Sequence, residues 1–425
     1  MPSVSSNTLS VSSSGAVLER PQTASKPDTS RPETNQPNTV RGPRLLYVAT
    51  TKSQGGIETH SVEMAEALHG RGVSVQFACR PGGFVEAWCR SLGLPTAEFC
   101  VINSGDICAA RRLAQIIRRE RIDIVHVHSR RDYVAGVLGA ALARRLLRRP
   151  VRLVLHAHMV RPLGEHSRLS GRFFEWGTDA VAAVSGAVRD YLRHVHQFKP
   201  ALVHLIPNGV RMERFAVPGS SEAARQRETV RRSLGLPSEA VVLGMIGRLN
   251  AKGQRQLFEV LPALLPLCPN LRVVLVGSEG QTGEEAALTA QARTGGFADR
   301  VVLTGPRSDV PDLLTAFDLL VHLPADEAFG LALAEAMAAG LPAVATAIGG
   351  CREVVRDGLT GRLVTPGDPA ALLEALVWLL DPMCGPERRA EMGAAGRAVV
   401  QSEFTQDVQI ERLLTLYREL CPVAP

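Results

Sequence analysis

Short, almost wholly apolar runs alternate with helical patterns, and this alternation constrains the fold of the chain more than any other feature. The first half holds runs such as RLLYVAT and IDIVHVH, and the second half holds AVVLGMIG and LRVVLVG. Apolar runs separated by helices are typical of parallel strands in a sheet that is covered on both faces. The sequence therefore predicts an α/β protein of two doubly wound Rossmann-like domains facing across a cleft. Ligands of such sheets bind at the carboxyl ends of the strands.

Composition gives the predicted domain boundaries. Residues 1–42 are rich in Ser, Thr, Pro and Asn, which predicts a disordered tail, and they lack the pattern of a secretory signal. A polar stretch at residues 210–240 separates the two apolar halves. We therefore predict an acceptor-side domain at residues 43–215 and a second domain that begins at residue 216.

Charge and cysteine usage narrow the class of protein. Residues 43–215 hold 25 Lys and Arg against 14 Asp and Glu, whereas residues 216–425 hold 19 against 25. The basic runs RRLAQIIRRER and ARRLLRRPVR fit a solvated face or a surface that binds anionic lipid, and both interpretations stay open. No apolar run is long enough to span a membrane. Eight cysteines without metal-ligand spacing predict a reduced, cytoplasmic protein.

The stretch DEAFGLALAEAMAAG carries two carboxylates, Glu327 and Glu335, in very apolar surroundings. From Leu331 onward the pattern predicts a short buried helix that ends at Gly340. A carboxylate inside such a helix is costly unless something pairs with it. The partner is either a structural Arg or Lys or a ligand, and the residues alone leave both possibilities open.

Two glycine-containing loops follow predicted strands. Gly55 and Gly56 stand where bare backbone can approach a phosphate or a sugar. In GMIGRLNAKG, Gly247 lets the chain turn, and Arg248 and Lys252 place two cations before the next helix. Two cations beside a helix N-terminus suit a diphosphate, and the alternative is ordinary surface charge.

Two histidine pairs end strands of the first half: His126 with His128, and His156 with His158. A spacing of two places both members of a pair on one face of a strand. The spacing suggests a metal, but the acids and cysteines of a zinc site are not evident nearby. We predict that His156 contacts a ligand and that the other three histidines are structural.

From about Arg44 to Leu420 the sequence resembles the retaining glycosyltransferases of family 4, which have the GT-B fold. The stretch DEAFGLALAEAMAAGLPAVATAIGGCREVVRDGLTG resembles the E-x7-E segment of that family and the motifs that follow it. GRLNAKG, PNGVRMERF and QGGIE are similar to further family stretches. The resemblance implies that the second domain, residues 216–405, binds the nucleotide sugar. It also implies that residues 406–425 form a helix that crosses back to the first domain.

The resemblance assigns roles to residues that match the family motifs. Glu335 would bind the ribose hydroxyls and Glu327 the transferred sugar, and Arg248 and Lys252 would neutralise the leaving diphosphate. His156 would lie near the donor sugar. The base is expected at TGPRSD, in the loop that holds Arg307. The remaining predicted donor contacts are Gly55, Gly56, Gly247, Phe329, Gly330 and Leu331. The run LPADEAFG departs from the family pattern, which often has Ser before the acidic position, and this affects only the local sugar contacts.

The implied function is transfer of a sugar, with retention, from a UDP- or GDP-sugar to a hydroxyl acceptor in polysaccharide or glycolipid assembly. The expected partners are the nucleotide-sugar donor, a glycan or lipid-linked acceptor and an anionic membrane surface, with no nucleic acid. No cofactor and no essential metal are expected. The expected location is cytoplasmic, at the inner face of the membrane. The alternatives are a GT-B sugar-nucleotide epimerase and a non-catalytic nucleotide-sugar-binding subunit of a polysaccharide assembly.

Overall fold

The computed structural model describes residues 42–52, 55–103, 105–161, 163, 168–280 and 282–422. The predicted tail at residues 1–42 lies almost entirely outside the described residues. Within the described part of the chain, no helix is long and apolar enough to cross a membrane.

The first sheet has seven parallel strands in the order β3-β2-β1-β4-β5-β6-β7. Its strands are β1 (Leu45–Ala49), β2 (Val75–Cys79), β3 (Thr96–Glu98), β4 (Ile124–Val127), β5 (Arg152–Ala157), β6 (Ala180–Ala183) and β7 (Val203–Leu205). The helices that connect them are α1 (Gly56–Gly70), α2 (Phe84–Ser91), α3 (Ile107–Arg119), α4 (Tyr133–Leu147), α5 (Arg168–Gly177) and α6 (Gly186–His194).

The second sheet has six parallel strands in the order β10-β9-β8-β11-β12-β13. Its strands are β8 (Val241–Ile246), β9 (Leu271–Val276), β10 (Val301–Leu303), β11 (Leu319–His322), β12 (Ala343–Thr346) and β13 (Gly361–Val364). The helices are α7 (Ser221–Ser233), α8 (Gln254–Leu264), α9 (Glu284–Thr294), α10 (Val310–Ala316), α11 (Leu331–Ala338), α12 (Cys351–Val354), α13 (Pro369–Leu380), α14 (Gly385–Glu403) and α15 (Gln406–Leu420).

Burial explains why the strands have such apolar sequences. β1, β4, β6, β11 and β12 are buried along their whole length, because helices cover both faces of each sheet. In the second sheet the chain runs from β8 to β9 and β10, then returns to the other side of β8 as β11. The strand order reverses between β8 and β11, and ligands of such sheets bind at that reversal. The prediction of two doubly wound α/β domains is confirmed.

The last helix leaves the second domain and packs on the first sheet. Val210 N donates to the carbonyl of Phe404, and Gln406 N donates back to the carbonyl of Val210, so two crossing segments lie side by side. Helix α15 then buries Tyr417 against the first sheet, where its hydroxyl lies 2.9 Å from that of Tyr47. The first domain therefore takes part of its core from the C-terminal end of the chain.

Candidate active site

Glu327 lies in the loop that follows β11, at the carboxyl edge of the second sheet. Its carboxylate accepts from Lys252 Nζ at 2.6 Å and lies 2.8 Å from His322 Nε2. Only 14% of the Glu327 side chain is exposed. Burial favours the protonated acid, but the His322 hydrogen bond and the Lys252 charge outweigh it and lower the pKa of Glu327 to about 2. The carboxylate is therefore ionised at neutral pH.

Lys252 belongs to a loop that glycines and one glutamine hold in shape. Gly247, at the end of β8, has φ 132°, a backbone conformation that favours glycine. The Gln254 amide donates to the carbonyl of Arg248 at 3.1 Å and accepts from Lys252 N at 3.2 Å. The side chain of Arg248 is exposed, and it forms no ion pair with the residues that the structure describes. The loop thus presents two cations at the end of β8: Lys252, which pairs with Glu327, and Arg248, which has no ion-pair partner among the described residues.

Gly349 and Gly350 form a glycine pair that packs directly on the Glu327 loop. Gly350 N donates to the carbonyl of Glu327 at 3.0 Å. A side chain at Gly350 would place its Cβ 2.3 Å from the Cα of Phe329. Helix α11 begins at Leu331, just after its N-cap residue Gly330, which has φ 94°, and Phe329 is the loop residue before that glycine. The glycine pair therefore fixes the backbone that leads from Glu327 into α11.

Glu335 lies on α11, and its side chain is partly exposed. Burial raises the pKa of its carboxyl to about 7, although the Arg214 charge opposes the shift. Arg214 itself pairs with Glu63 at 3.0 Å. The Glu335 carboxylate has no hydrogen-bond or ion-pair partner among the residues that the structure describes. A structural Arg or Lys partner, one of the two possibilities left open by the sequence, is thus not seen in the described structure.

Gly55 and Gly56 lie at the start of α1, in the first domain. Gly55 is the extended residue before the helix, and Gly56 is exposed, with no atom of the neighbouring described residues within 4 Å of an added Cβ. The Glu58 carboxylate in the first turn of the helix accepts from Thr51 Oγ1 at 2.5 Å. Among the residues that the structure describes, no side chain therefore covers the backbone at Gly56.

Two predicted contacts have surroundings that bear on their roles. His156 is completely buried, so a direct contact with a donor sugar at this residue disagrees with its position; His158, two residues later, is partly exposed. Arg307 donates to both carboxylate oxygens of Asp309, at 2.8 and 2.5 Å. This ion pair engages two of the guanidinium nitrogens of Arg307, and the predicted contact of its loop with the base stays a prediction.

Sequence reasoning missed several residues that shape the site. His322 is the last residue of β11, and its position five residues before Glu327 was the available signal. Glu353 follows the glycine pair and accepts from Gly186 N and Ala187 N of the first domain, at 2.7 and 2.8 Å. The two halves of the cleft are thus joined by a carboxylate at the start of α6. Gln254 gave no signal in the sequence, because glutamine at the start of a helix is common.

Two family models match the chain. "Glycosyltransferase Family 4" covers residues 54–214, and "Glycosyl transferases group 1" covers residues 226–399. The chain is 30% identical to a D-inositol 3-phosphate glycosyltransferase of Xylanimonas cellulosilytica, over 89% of this chain and 97% of that protein. It is 30% identical to the lipopolysaccharide core biosynthesis mannosyltransferase LpsB of Rhizobium meliloti, over 69% and 79% of the two chains.

Solved structures show the same architecture. A glycosyltransferase from Rickettsia africae matches with a TM-score of 0.80 at 20% identity, over 90% of this chain and all of that one. Anabaena HepE in complex with UDP and glucose matches with a TM-score of 0.74 at 23% identity, over 89% of this chain and all of that one.

The two sheets and these matches define a sugar-transferring enzyme with the GT-B fold. The chain belongs to glycosyltransferase family 4. The predictions of the fold, the family and an enzyme that transfers sugar are confirmed, whereas the roles given to single residues stay predictions.

Proposed function

We propose that the protein transfers a sugar from a UDP- or GDP-sugar to a hydroxyl group, with retention, in cell-surface polysaccharide or glycolipid assembly. The observation that carries the proposal is the grouping of Glu327, Lys252 and Arg248 at the ends of β8 and β11, beside the start of α11. This is the reversal point of the second sheet, where doubly wound domains bind ligands.

The proposed role of Arg248 and Lys252 is to neutralise the diphosphate as it leaves. The first-turn amides of α11 add donors aimed at the same place, because a helix N-terminus favours anions. Stabilising the charge that develops in the transition state is commonly the main source of an enzyme's rate enhancement. With these cations in place the transfer needs no essential metal, so turnover is expected to be unchanged when Mg²⁺ and Mn²⁺ are omitted.

Glu327 and Glu335 receive different roles because their surroundings differ. A carboxyl whose pKa is held at about 2 cannot donate a proton near pH 7, so Glu327 is proposed to contact the transferred sugar as a hydrogen-bond acceptor. The Glu335 carboxylate on the next helix has no partner among the described residues and is proposed to accept from the ribose hydroxyls. The UDP bound by HepE supports a uridine or similar nucleotide as the donor.

The proposed bond changes are balanced without a further reactant. The bond from the anomeric carbon to the diphosphate oxygen breaks, and a bond from that carbon to the acceptor oxygen forms on the same face. The acceptor proton passes to the departing diphosphate. His158, which is partly exposed at the end of β5, replaces His156 as the proposed histidine near the donor sugar.

The first domain is proposed to meet a lipid-linked acceptor at the cytoplasmic face of an anionic membrane. Arg144 pairs with Asp179 and Arg149 pairs with Asp123, so these two arginines contribute little positive charge for binding anionic lipid. Helix α3 keeps Arg111 and Arg112 exposed. Charge-reversed Arg111→Glu/Arg112→Glu protein should sediment less with phosphatidylglycerol vesicles than the wild type. Equal sedimentation of the two proteins, or none for the wild type, would remove the membrane from the proposal.

The donor is tested by thermal stabilisation with UDP-, GDP-, ADP- and dTDP-sugars, because a ligand raises stability according to its concentration over the dissociation constant. A shift with one nucleotide class, lost in Glu335→Ala, is the expected result. Product analysis with that donor then separates a transferase from an epimerase, which needs no acceptor. Arg248→Ala/Lys252→Ala should lose turnover, while Arg255→Ala, which removes a 54% exposed side chain that pairs with Glu284, should keep it. Unchanged turnover in the double variant would overturn the proposal.

A further inference from the structure

Four imidazole rings form a stack on one face of the first sheet, beneath α1 and α15. His126 and His128 stand two residues apart at the end of β4, with ring centroids 4.4 Å apart. His156 and His158 stand two residues apart at the end of β5, with centroids 4.0 Å apart. His126 and His156 are stacked across the two strands at 5.1 Å. We name these four residues the histidine stack.

Buried ring nitrogens in the stack lack partners. His126 Nε2, His128 Nε2 and both ring nitrogens of His156 have no hydrogen-bond partner among the residues that the structure describes. The three side chains are completely or almost completely buried. Buried polar atoms in folded proteins nearly always have a partner, so this concentration of unpartnered nitrogens requires an explanation.

The other nitrogens of two of these rings are held in place. His126 Nδ1 lies 2.5 Å from the hydroxyl of Tyr417, and His128 Nδ1 lies 3.3 Å from His158 Nε2. A histidine that binds a metal commonly has its second ring nitrogen fixed in this way, which sets the ring orientation. In both residues the nitrogen that remains unpartnered is Nε2.

We propose that His126, His128 and His156 form a binding site for a divalent transition-metal cation, of which Zn²⁺ is the best fit. One ring nitrogen from each of the three lies within 4.8 Å of the other two. Bonds of about 2.0–2.1 Å require nitrogens roughly 3.4 Å apart, so the rings must turn out of their stack, in which the planes of His126 and His156 differ by 8°, to point at one cation. Three histidines are also the zinc ligands of carbonic anhydrase, which shows that neither acids nor cysteines are required.

The chemistry of the ligand set selects the cation. Imidazole suits Zn²⁺, Cu²⁺, Ni²⁺ and Co²⁺, whereas Mg²⁺ and Ca²⁺ prefer oxygen ligands. Partly exposed His158 offers an approach from the solvent side. The bound cation would join β4 to β5 and, through Tyr417, would hold α15 on the first sheet, a structural role separate from sugar transfer.

The test uses untagged full-length protein that is purified without chelators and analysed for bound metals. We expect about one Zn²⁺ per chain in the wild type and in His69→Gln, an exposed histidine that serves as the matched control. His128→Gln should retain less than a tenth of that amount. Equal zinc in His128→Gln and the wild type would show that the metal lies elsewhere and would overturn the proposal.

A second measurement does not depend on a variant that folds. Wild-type protein is stripped with a chelator and then titrated with Co²⁺ and Zn²⁺. Visible absorption bands of tetrahedral Co²⁺ and a rise of the thermal midpoint with Zn²⁺ are expected, since a ligand of the folded state stabilises it. The absence of both signals, together with metal-free protein at purification, would refute the site.

Discussion

Replacing Glu327 by Gln tests the electrostatics of the site most directly. The change keeps the shape of the side chain and removes its charge, which leaves the Lys252 ammonium without its partner at 2.6 Å. Holding the pKa of a carboxyl at about 2 rather than 4.5 corresponds to about 3 kcal/mol of folding free energy. The value applies with little screening, because 14% of the side chain is exposed.

The sign of the pH dependence follows from the lowered pKa. A carboxylate of this kind stabilises the fold above the unfolded-state pKa of 4.5, and its contribution is lost as the pH falls towards 2. Urea unfolding followed by circular dichroism should therefore show Glu327→Gln about 3 kcal/mol less stable than the wild type at pH 7. The gap should be about 1 kcal/mol smaller at pH 4.

The matched control is Glu228→Gln, which breaks an exposed pair with Arg232 on α7. Both side chains of that pair are 71% exposed, so the change should cost less than about 1 kcal/mol at either pH. Equal losses for Glu327→Gln at pH 7 and pH 4 would refute the reasoning. A loss of less than about 1 kcal/mol at pH 7 would refute it as well.

Three further predictions address other parts of the molecule. Glu335→Gln should raise the thermal midpoint at pH 8 but not at pH 4. Burial raises the pKa of the Glu335 carboxyl to about 7, so this group destabilises the fold only above the unfolded-state pKa of 4.5, where the unfolded chain is ionised. A midpoint unchanged at pH 8 would contradict this. Gly350→Ala should lower the thermal midpoint and abolish turnover, because its Cβ would lie 2.3 Å from the Cα of Phe329. Gly56→Ala is the control and should fold normally, because no described residue lies within 4 Å of the added Cβ. Equal midpoints of the two variants would count against the clash. Tyr417→Phe should cost roughly 1–3 kcal/mol in urea unfolding, because it removes a buried hydroxyl that two side chains contact, and a neutral effect would refute that contribution.

The alternation of apolar runs and helical patterns was sufficient to predict the architecture of two doubly wound α/β domains. The strands of both sheets could be recognised because complete burial leaves little polar character in them, as in β1 and β11. The exception is β3, which has no apolar run that predicts it: it is three residues long, lies at the edge of the first sheet and carries Thr96 and Glu98. Short edge strands with polar residues carry no alternation from which a strand can be recognised.

The site was only partly predictable, because its contacts join residues that are distant in sequence. Glu327 and Lys252 were identified singly, but their ion pair depends on how β8 and β11 align. The histidine stack shows the same limit. A spacing of two places each pair on one face of its strand, whereas only the pairing of β4 with β5, in which His126 meets Val154, brings the two pairs together. The alignment of one strand with its neighbour depends on tertiary packing, so it could not be predicted from this sequence alone.

The return of α15 to the first sheet has a consequence for the order in which the protein is made. Ile410, Leu413 and Tyr417 belong to the same buried cluster as Leu45, Tyr47 and Ala49 of β1. A ribosome releases the first domain about 200 residues before it releases this helix, an interval on the order of 10–40 s at typical rates of synthesis. During that interval the face of the sheet that will receive α15 stays uncovered. The amino-terminal domain can finish folding only when the carboxyl-terminal end of the chain has emerged.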